Sequence, residues 1–470
     1  MRAREIMSRL LLKPEVFFAV TAIIFGITFI IVTPPLQGPD EQAHFAQVYR
    51  YSSPRSSHAN SLPAGVVDTF RAVLYADDIR FKGNEKYEPG RTKHALLNIP
   101  LNKNQIVDAS AYGGTGYSPI SYLGSILMVW LGQLLNAPAI LLIYLARLGG
   151  LLSFIGLLYL SIRILPIGKT PMSVVALLPM SIFSASVVSS DAVTLGATAL
   201  FLATILSITI HKIEFGYRTC LWLMASTVLL LLTKTISAVL LPLLLLIILN
   251  PGKSKSKRKT YLGVTGLLLI SVGIMVLWQM IMPEVSNSTV TNIPKNVIPS
   301  EQISLMIHAP YKFLFALWNT YFYSWGDGIA YSLIGTFGWA DAPMSALVVI
   351  LGYVIIAFSF LVNRDQDSKT LQGLVRGSRL LIGVTALLYF IAVNAGMYIY
   401  YSPVDFNIIV GLQGRYFLPL LFLSALIVAP LGLRASRSMT KVLFAICAPI
   451  VLLIISTVYI IVRYYVNTII

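Results

Sequence analysis

The sequence predicts an all-α protein that passes through a membrane many times, and three observations carry that prediction. Of 470 residues, 56% are hydrophobic and 11% charged, where a soluble domain carries about 25% charged and 45–50% apolar residues. Mean hydropathy is +0.77, which leaves too few polar side chains to coat a water-facing surface. Apolar runs near the ~20 residues that a helix needs to cross hydrocarbon recur along the chain, separated by basic segments. Together these exclude a soluble enzyme, a nucleic-acid-binding module and a disordered scaffold, and they define 1–470 as a single integral membrane domain.

The chain opens with Arg2, Arg4, Arg9 and Lys13 ahead of an uncharged run from Val16 to Thr33. Pro34-Pro35 follows where a signal peptide would show small residues before a cleavage site. The run is therefore expected as a retained first span with its basic end in the cytoplasm. Further spans are expected over 140–163, 172–189, 191–210, 260–282, 344–362, 380–398, 416–433 and 442–463. The stretch 219–249 is too long for one upright helix and is interrupted by Thr233-Lys234-Thr235, which predicts two short helices meeting at Lys234. Basic segments at 163–169, 211–218, 250–259, 363–379 and 434–441, the clearest being Lys253, Lys255, Lys257, Arg258 and Lys259, belong on the cytoplasmic side. That parity holds if 119–136, with Tyr122, Trp130 and Gln133, lies on the outer membrane surface. The expected topology is then eleven spans, N-terminus inside and C-terminus outside.

Lys and Arg number 35 against 19 acids, a net charge of +16, and the excess is topogenic. Twenty basic residues meet five acids in the cytoplasmic segments, whereas the outer side is nearly balanced. Charge so placed faces water and headgroups and leaves no nucleic-acid footprint. Cys220 and Cys447 both lie in apolar runs, so the chain has no disulfide framework or cysteine-based zinc site.

Chemistry is expected on the outer side, in the first outer loop 33–139, in 283–343, and in small turns at 189–191, 234–235 and 399–415. Fourteen of the 19 acids fall there. A transporter places ionisable groups near mid-bilayer in broken helices, whereas these spans are nearly bare of charge. Residues 33–45 read Thr-Pro-Pro-Leu-Gln-Gly-Pro-Asp-Glu-Gln-Ala-His-Phe. Pro39 suits the first turn of a helix, which sets Asp40 and Glu41 at its positive end and His44 one turn after Asp40 on the same face. A carboxylate held just beyond the first span is a candidate general base; the plainer reading is a pair of capping acids after a Pro-rich turn.

Further segments follow in order: Gly116-Tyr-Ser-Pro-Ile-Ser-Tyr-Leu, Leu177-Leu-Pro-Met-Ser-Ile-Phe, Ser189-Ser-Asp-Ala, Thr233-Lys-Thr, Gly335-Thr-Phe-Gly-Trp-Ala-Asp-Ala-Pro and Gly411-Leu-Gln-Gly-Arg-Tyr-Phe-Leu-Pro. With PPxQxPDExxHF after the first span, they resemble a bacterial family of multi-spanning membrane proteins of unknown function. Two departures are Thr235 and Ser190, each standing where the family pattern has proline; neither removes a charged group. That family in turn looks like the GT-C class of glycosyltransferases. The resemblance implies a GT-C-like bundle whose large first outer loop carries surface helices. It also implies a sugar donor on polyprenyl phosphate, undecaprenyl in a bacterial cytoplasmic (inner) membrane, and a surface polysaccharide, lipid or protein acceptor. Asp40 is then the base, with Glu41 as its substitute.

Cations at the outer boundary would stabilise the departing lipid phosphate. Arg415 is the first candidate, since guanidinium offers two parallel hydrogen bonds; otherwise it anchors a helix end. Lys234, between two apolar helices, is costly without a partner, or reaches toward headgroups. Arg147, inside 140–163, is the third candidate and the most readily structural. Asp191 either caps the helix 191–210 or serves an acceptor or a lysine. His44 suits a hydrogen-bonding or sugar-contacting role, and Gln413 stands beside Arg415 on the substrate side. Trp325, Trp339 and Tyr416 offer flat faces to sugar rings, or belong to the interfacial aromatic belt. One histidine beside two acids leaves a divalent cation open but assigns no metal ligand. Gly113-Gly114-Thr115-Gly116 lacks the flanking strand, helix and lysine of a nucleotide loop. The rival is a flippase or exporter of a lipid-linked glycan; a polymerase or ligase with a diphosphate-linked donor would call for more than one arginine.

Overall fold

The computed structural model describes residues 13–53, 61–74, 85–112, 116–250, 257–281, 296–324, 326–361, 376–428 and 439–466. Arg2, Arg4, Arg9, Lys253, Lys255, Trp325 and Gly113–Thr115 lie outside them. Helix α1 (Pro14–Val32) starts on a proline, whose missing N–H costs nothing in a first turn, and ends before Pro34-Pro35. A cap of short elements follows: α2 (Glu41–Ser52), β1 (Ser61–Pro63), α3 (Ala64–Leu74), α4 (Pro89–Asn98) and β2 (Ile106–Asp108). The two strands pair antiparallel with Leu62 opposite Val107. A 3-10 turn, Pro119–Tyr122, enters α5 (Leu123–Leu134), which folds back into α6 (Ala139–Ile164). Next come α7 (Lys169–Ala176), α8 (Pro179–Ser186), α9 (Asp191–Ile210) and α10 (Tyr217–Thr233). A 3-10 stretch, Thr235–Leu244, runs into α11 (Leu245–Leu249), followed by α12 (Lys257–Ile281). The second half holds α13 (Pro299–His308), α14 (Pro310–Asn319), α15 (Gly326–Ile334), the hairpin β3 (Thr336–Phe337) and β4 (Ala342–Pro343), α16 (Ala346–Leu361), α17 (Arg376–Tyr400), α18 (Leu418–Val428) and α19 (Met439–Tyr465).

The all-α membrane architecture is as expected, but the eleven-span count is not reproduced. Among the described residues six helices are long and apolar enough to cross: α1, α6, α9, α12, α17 and the Cys447–Tyr465 part of α19. The expected span 172–189 breaks into α7 and α8, each eight residues. Pro179 disfavours a helical conformation at the residue before it, and Leu178 is accordingly extended at ψ 142. The stretch 219–249 divides at Lys234, as its composition predicts: Lys234 has φ −142 and ψ 133 and ends α10. The region 344–362 yields the 16-residue α16, and only Leu418–Val428 of 416–433 is described as helix.

The segment 119–136, expected not to cross, packs closely on α6. Gly124 abuts Gly149, Ser125 donates to Ala146 O (2.7 Å), and Gly132 packs on Leu142. These pairs run in opposite sequence directions, so α5 lies antiparallel along the first half of α6 rather than across it. Glycine at both 124 and 149 allows that backbone approach, because a Cβ at either would collide with the other helix. At twelve residues α5 is ~18 Å long, well short of the ~30 Å hydrocarbon core. Helix α9 is the central post, with 89% of its apolar window buried inside the protein. One large apolar cluster surrounds it, and a second, including Leu36, Phe45, Tyr49, Phe70 and Ile140, underlies the cap.

Candidate functional site

The loop after α1 is held in an unusual shape by a single arginine. Leu36 (φ 62) and Asp40 (φ 53) both adopt left-handed conformations, each costing an ordinary L-residue roughly 1–2 kcal/mol. Arg147 on α6 donates to Ile30 O (3.1 Å), Thr33 O (2.7 Å) and Pro34 O (2.7 Å). It also forks onto both oxygens of Glu41, at 2.7 and 2.8 Å. Glu41 in turn accepts the backbone N–H groups of Gly38 and Val188, both at 3.0 Å. Both side chains are fully buried. These contacts leave no opening for a substrate at either side chain, so the phosphate role expected of Arg147 and the substitute-base role expected of Glu41 are withdrawn. Their type and spacing gave no hint of pairing across 106 residues.

Asp40 is exposed. Helix α2 begins at Glu41, not at Pro39, and Asp40 is its N-cap, its carbonyl accepting Ala43 N (2.9 Å) and His44 N (3.1 Å). The Asp40 carboxylate lies near enough to Arg415 and Tyr401 to act electrostatically on both.

One turn on, His44 enters the second feature, a cluster gathered from four distant segments. The Gly116–Leu123 motif places Tyr117 parallel to the imidazole, 5.9 Å between ring centres, and Tyr122 Oη shares a 2.6 Å hydrogen bond with His44 Nδ1. Ser118 Oγ (2.5 Å) and Ser121 Oγ (3.0 Å) donate to Leu232 O and Thr233 O, satisfying carbonyls at the end of α10. That dock presents Lys234, whose Nζ bonds the Asp191 carboxylate at the start of α9. Arg415 Nε stands 3.7 Å from the other Asp191 oxygen. It is buried with no hydrogen-bond acceptor. Side-chain exposure is 17% for Lys234, 14% for Asp191 and 10% for Arg415, so two cations face one carboxylate largely out of water. Lys234 Nζ lies 5.5 Å from the Tyr117 ring centre and 5.8 Å from that of Tyr416, distances at which a ring face attracts a cation.

These groups line the polar end of a cavity of about 230 Å³. The rest of its lining is mainly apolar, with Leu195, Ile236, Val393, Met397 and Pro419 beside Thr194 and Tyr389. Of the residues picked from sequence, Asp191, Lys234, Arg415 and Tyr416 line the cavity, and His44 lies behind Tyr117. Gln413 does not line it; its carbonyl accepts Tyr416 N (3.1 Å). Trp339 is 8% exposed, and its indole Nε1 donates to Leu36 O (3.5 Å). It therefore braces the 33–40 loop, and the sugar-facing role expected of it is corrected. Asp341 from the same motif pairs with Arg463 (2.5 Å) on α19. Tyr117, Tyr122 and Tyr389 were missed as site residues, although two of them stand inside a quoted motif. Among the described residues no group of three His, Cys, Asp or Glu is arranged to hold a metal.

Burial pushes the His44 pKa down from 6.5 to about 3, with Lys234 and Arg415 adding to the effect and Asp191 opposing it. Between those values the unfolded chain binds a proton that the folded chain refuses, so stability is present above pH 6.5 and falls as pH drops toward 3. The expected loss is on the order of a few kcal/mol. Chemical denaturation in detergent at pH 7, 5.5 and 4 should show a steeper decline for the wild type than for His44→Gln; parallel declines would contradict a buried neutral histidine.

Fold and site together define a helical membrane protein whose loops and helix ends gather a cation-rich cavity beside an exposed acid. The chain belongs to the DUF2142 family of predicted membrane proteins, whose family model matches residues 23–424. No curated protein and no solved structure matches it.

Proposed function

We propose that the protein is a membrane glycosyltransferase of GT-C type. On this reading it moves a sugar from a polyprenyl phosphate to a polysaccharide, lipid or protein acceptor at the outer face of a bacterial cytoplasmic membrane. One observation carries the reading: Lys234 and Arg415, far apart in sequence, converge on Asp191 in a cavity whose lining is otherwise mainly apolar and aromatic. An anion with an apolar body is the ligand such a cavity suits. Asp40, close enough to influence Arg415, is the base.

In the proposed step Asp40 takes the proton of the acceptor hydroxyl as its oxygen attacks the anomeric carbon. The bond from that carbon to the phosphate oxygen breaks, and polyprenyl phosphate leaves with one more negative charge than the donor's phosphodiester carried. Lys234 and Arg415 stabilise the charge that develops, and Asp191 holds the two cations together meanwhile. The ring faces of Tyr117 and Tyr416 flank the lysine where a sugar would lie.

The test uses purified protein, synthetic polyprenyl-phosphate sugars and envelope extract as acceptor, with release of polyprenyl phosphate as the readout. Arg415→Lys keeps the charge but loses the fork, and it should lower kcat/KM for the donor by about 10²-fold. An unchanged value would remove Arg415 from the donor site. The carrier reading keeps one observation in its favour, the helix breaks at Lys234 and between α7 and α8, because transporters build sites at broken helices. A cysteine at 234, in a Cys220→Ser, Cys447→Ser background, should label from one side of the membrane for the enzyme and from both in turn for a carrier.

A further inference from the structure

A second cavity lies near the other end of α9, ~25 Å along the helix from Asp191, and nothing in the proposed reaction uses it. Its volume is about 370 Å³, within the ~300–1,000 Å³ typical of small-ligand sites. Leu160 and Ile164 of α6, Ile208 of α9 and Trp222 of α10 supply apolar walls, with Ile213 from the connecting turn. Arg218 stands at its edge, exposed to the surroundings. Thr204, Ser207 and Thr219 also line the cavity, and Thr219 Oγ1 donates to Glu214 O (3.0 Å). Thr204 is 6% exposed, and its Oγ1 is buried with no hydrogen-bond partner. A hydroxyl so placed lacks the compensating bond that buried polar groups ordinarily find. The neighbouring Arg163 and Lys212 are exposed as well, and Glu214 is the acid in the connecting turn.

We propose that this cavity binds one acidic phospholipid from the leaflet at that end of the bundle. Arg218 takes the lipid phosphate and an acyl chain lies between α6, α9 and α10. Three properties favour this occupant. The walls come from helices α6 and α9, both long and apolar enough to cross a membrane, so the site opens where lipid is the surrounding solvent. Arg163, Lys212 and Arg218 outnumber Glu214, which selects an anionic headgroup over a zwitterionic one. Guanidinium binds phosphate through two parallel bonds, while Trp222, 56% exposed, suits the headgroup boundary. The segment 211–218 is among those the positive-inside rule assigns to the cytoplasm, so the lipid belongs to the inner leaflet. This proposal stands apart from the sugar-transfer reading.

Native mass spectrometry of delipidated protein in detergent, titrated with dioleoyl phosphatidylglycerol, tests it. The wild type should retain one lipid per chain, and dioleoyl phosphatidylcholine should be retained about ten-fold less. Arg218→Gln, at an exposed position, should lower retention of phosphatidylglycerol about ten-fold. Ser207→Phe, which fills the cavity without touching the guanidinium, should lower it similarly, whereas Lys312→Gln near Asp405 should not. Unchanged retention in both cavity variants, or equal retention of the two lipids, overturns the proposal. Displacement by excess inorganic phosphate overturns the lipid as occupant and leaves an anion site.

Discussion

Arg147→Met is expected to cost about 3–5 kcal/mol, because it leaves the Glu41 carboxylate buried without its cation. It also removes the donors that hold three carbonyls of the loop, those of Ile30, Thr33 and Pro34. With a folded domain's margin at about 5–15 kcal/mol, the variant should accumulate poorly and unfold at a markedly lower temperature in detergent. Glu41→Gln keeps the shape and strands the opposite charge, so a loss of similar size is expected. Replacing a buried pair by apolar groups of like volume is often neutral, so the double variant Glu41→Leu, Arg147→Met should recover most of the stability. It should not recover activity, since Asp40 is set by the same loop. A single variant as stable as the wild type would show that the pair does not hold the loop.

Asp40→Asn should reduce the proposed sugar transfer by about 10²–10⁴-fold, the usual contribution of a positioned general base. Stability should change by no more than about 0.5 kcal/mol, since the side chain is exposed and surface substitutions of this kind are mild. Asparagine tolerates the left-handed conformation that Asp40 adopts, as alanine does not, so this variant separates chemistry from loop geometry. Turnover at the wild-type rate would remove the carboxylate from the mechanism. A fall in activity that tracks a fall in melting temperature would assign the residue to the fold instead.

The membrane class was legible because composition alone decides whether a surface can be wetted. The break at Lys234 was legible too, since a cation amid 31 mainly apolar residues interrupts the run. The breaks within apolar runs were not: hydropathy sees 172–189 as one run, whereas Pro179 divides it, and α5 packs along α6 through glycines that carry no periodic signal. At the site, Asp191, Lys234 and Arg415 were each singled out, yet their meeting is a tertiary fact that spacing does not encode. Glu41 and Arg147 were misread for the same reason. A buried charge looks functional until its partner is known, and the partner here comes from another helix. Trp339 was misread because an aromatic expected at the membrane boundary is equally apt for a ligand or for a loop, and here it sits in the turn of the β3–β4 hairpin.

The central claim is that Lys234 and Arg415 line a cavity that receives a lipid phosphate, with Asp40 acting on the bound sugar from beside it. A cryo-electron microscopy map of the protein with a non-hydrolysable polyprenyl-phosphonate sugar tests it most directly. The account predicts phosphonate density within hydrogen-bond distance of Arg415 and Lys234, the sugar beside Tyr117 and Tyr416, and the Asp40 carboxylate facing the anomeric carbon. Phosphonate density away from both cations, or a sugar out of reach of Asp40, would contradict it.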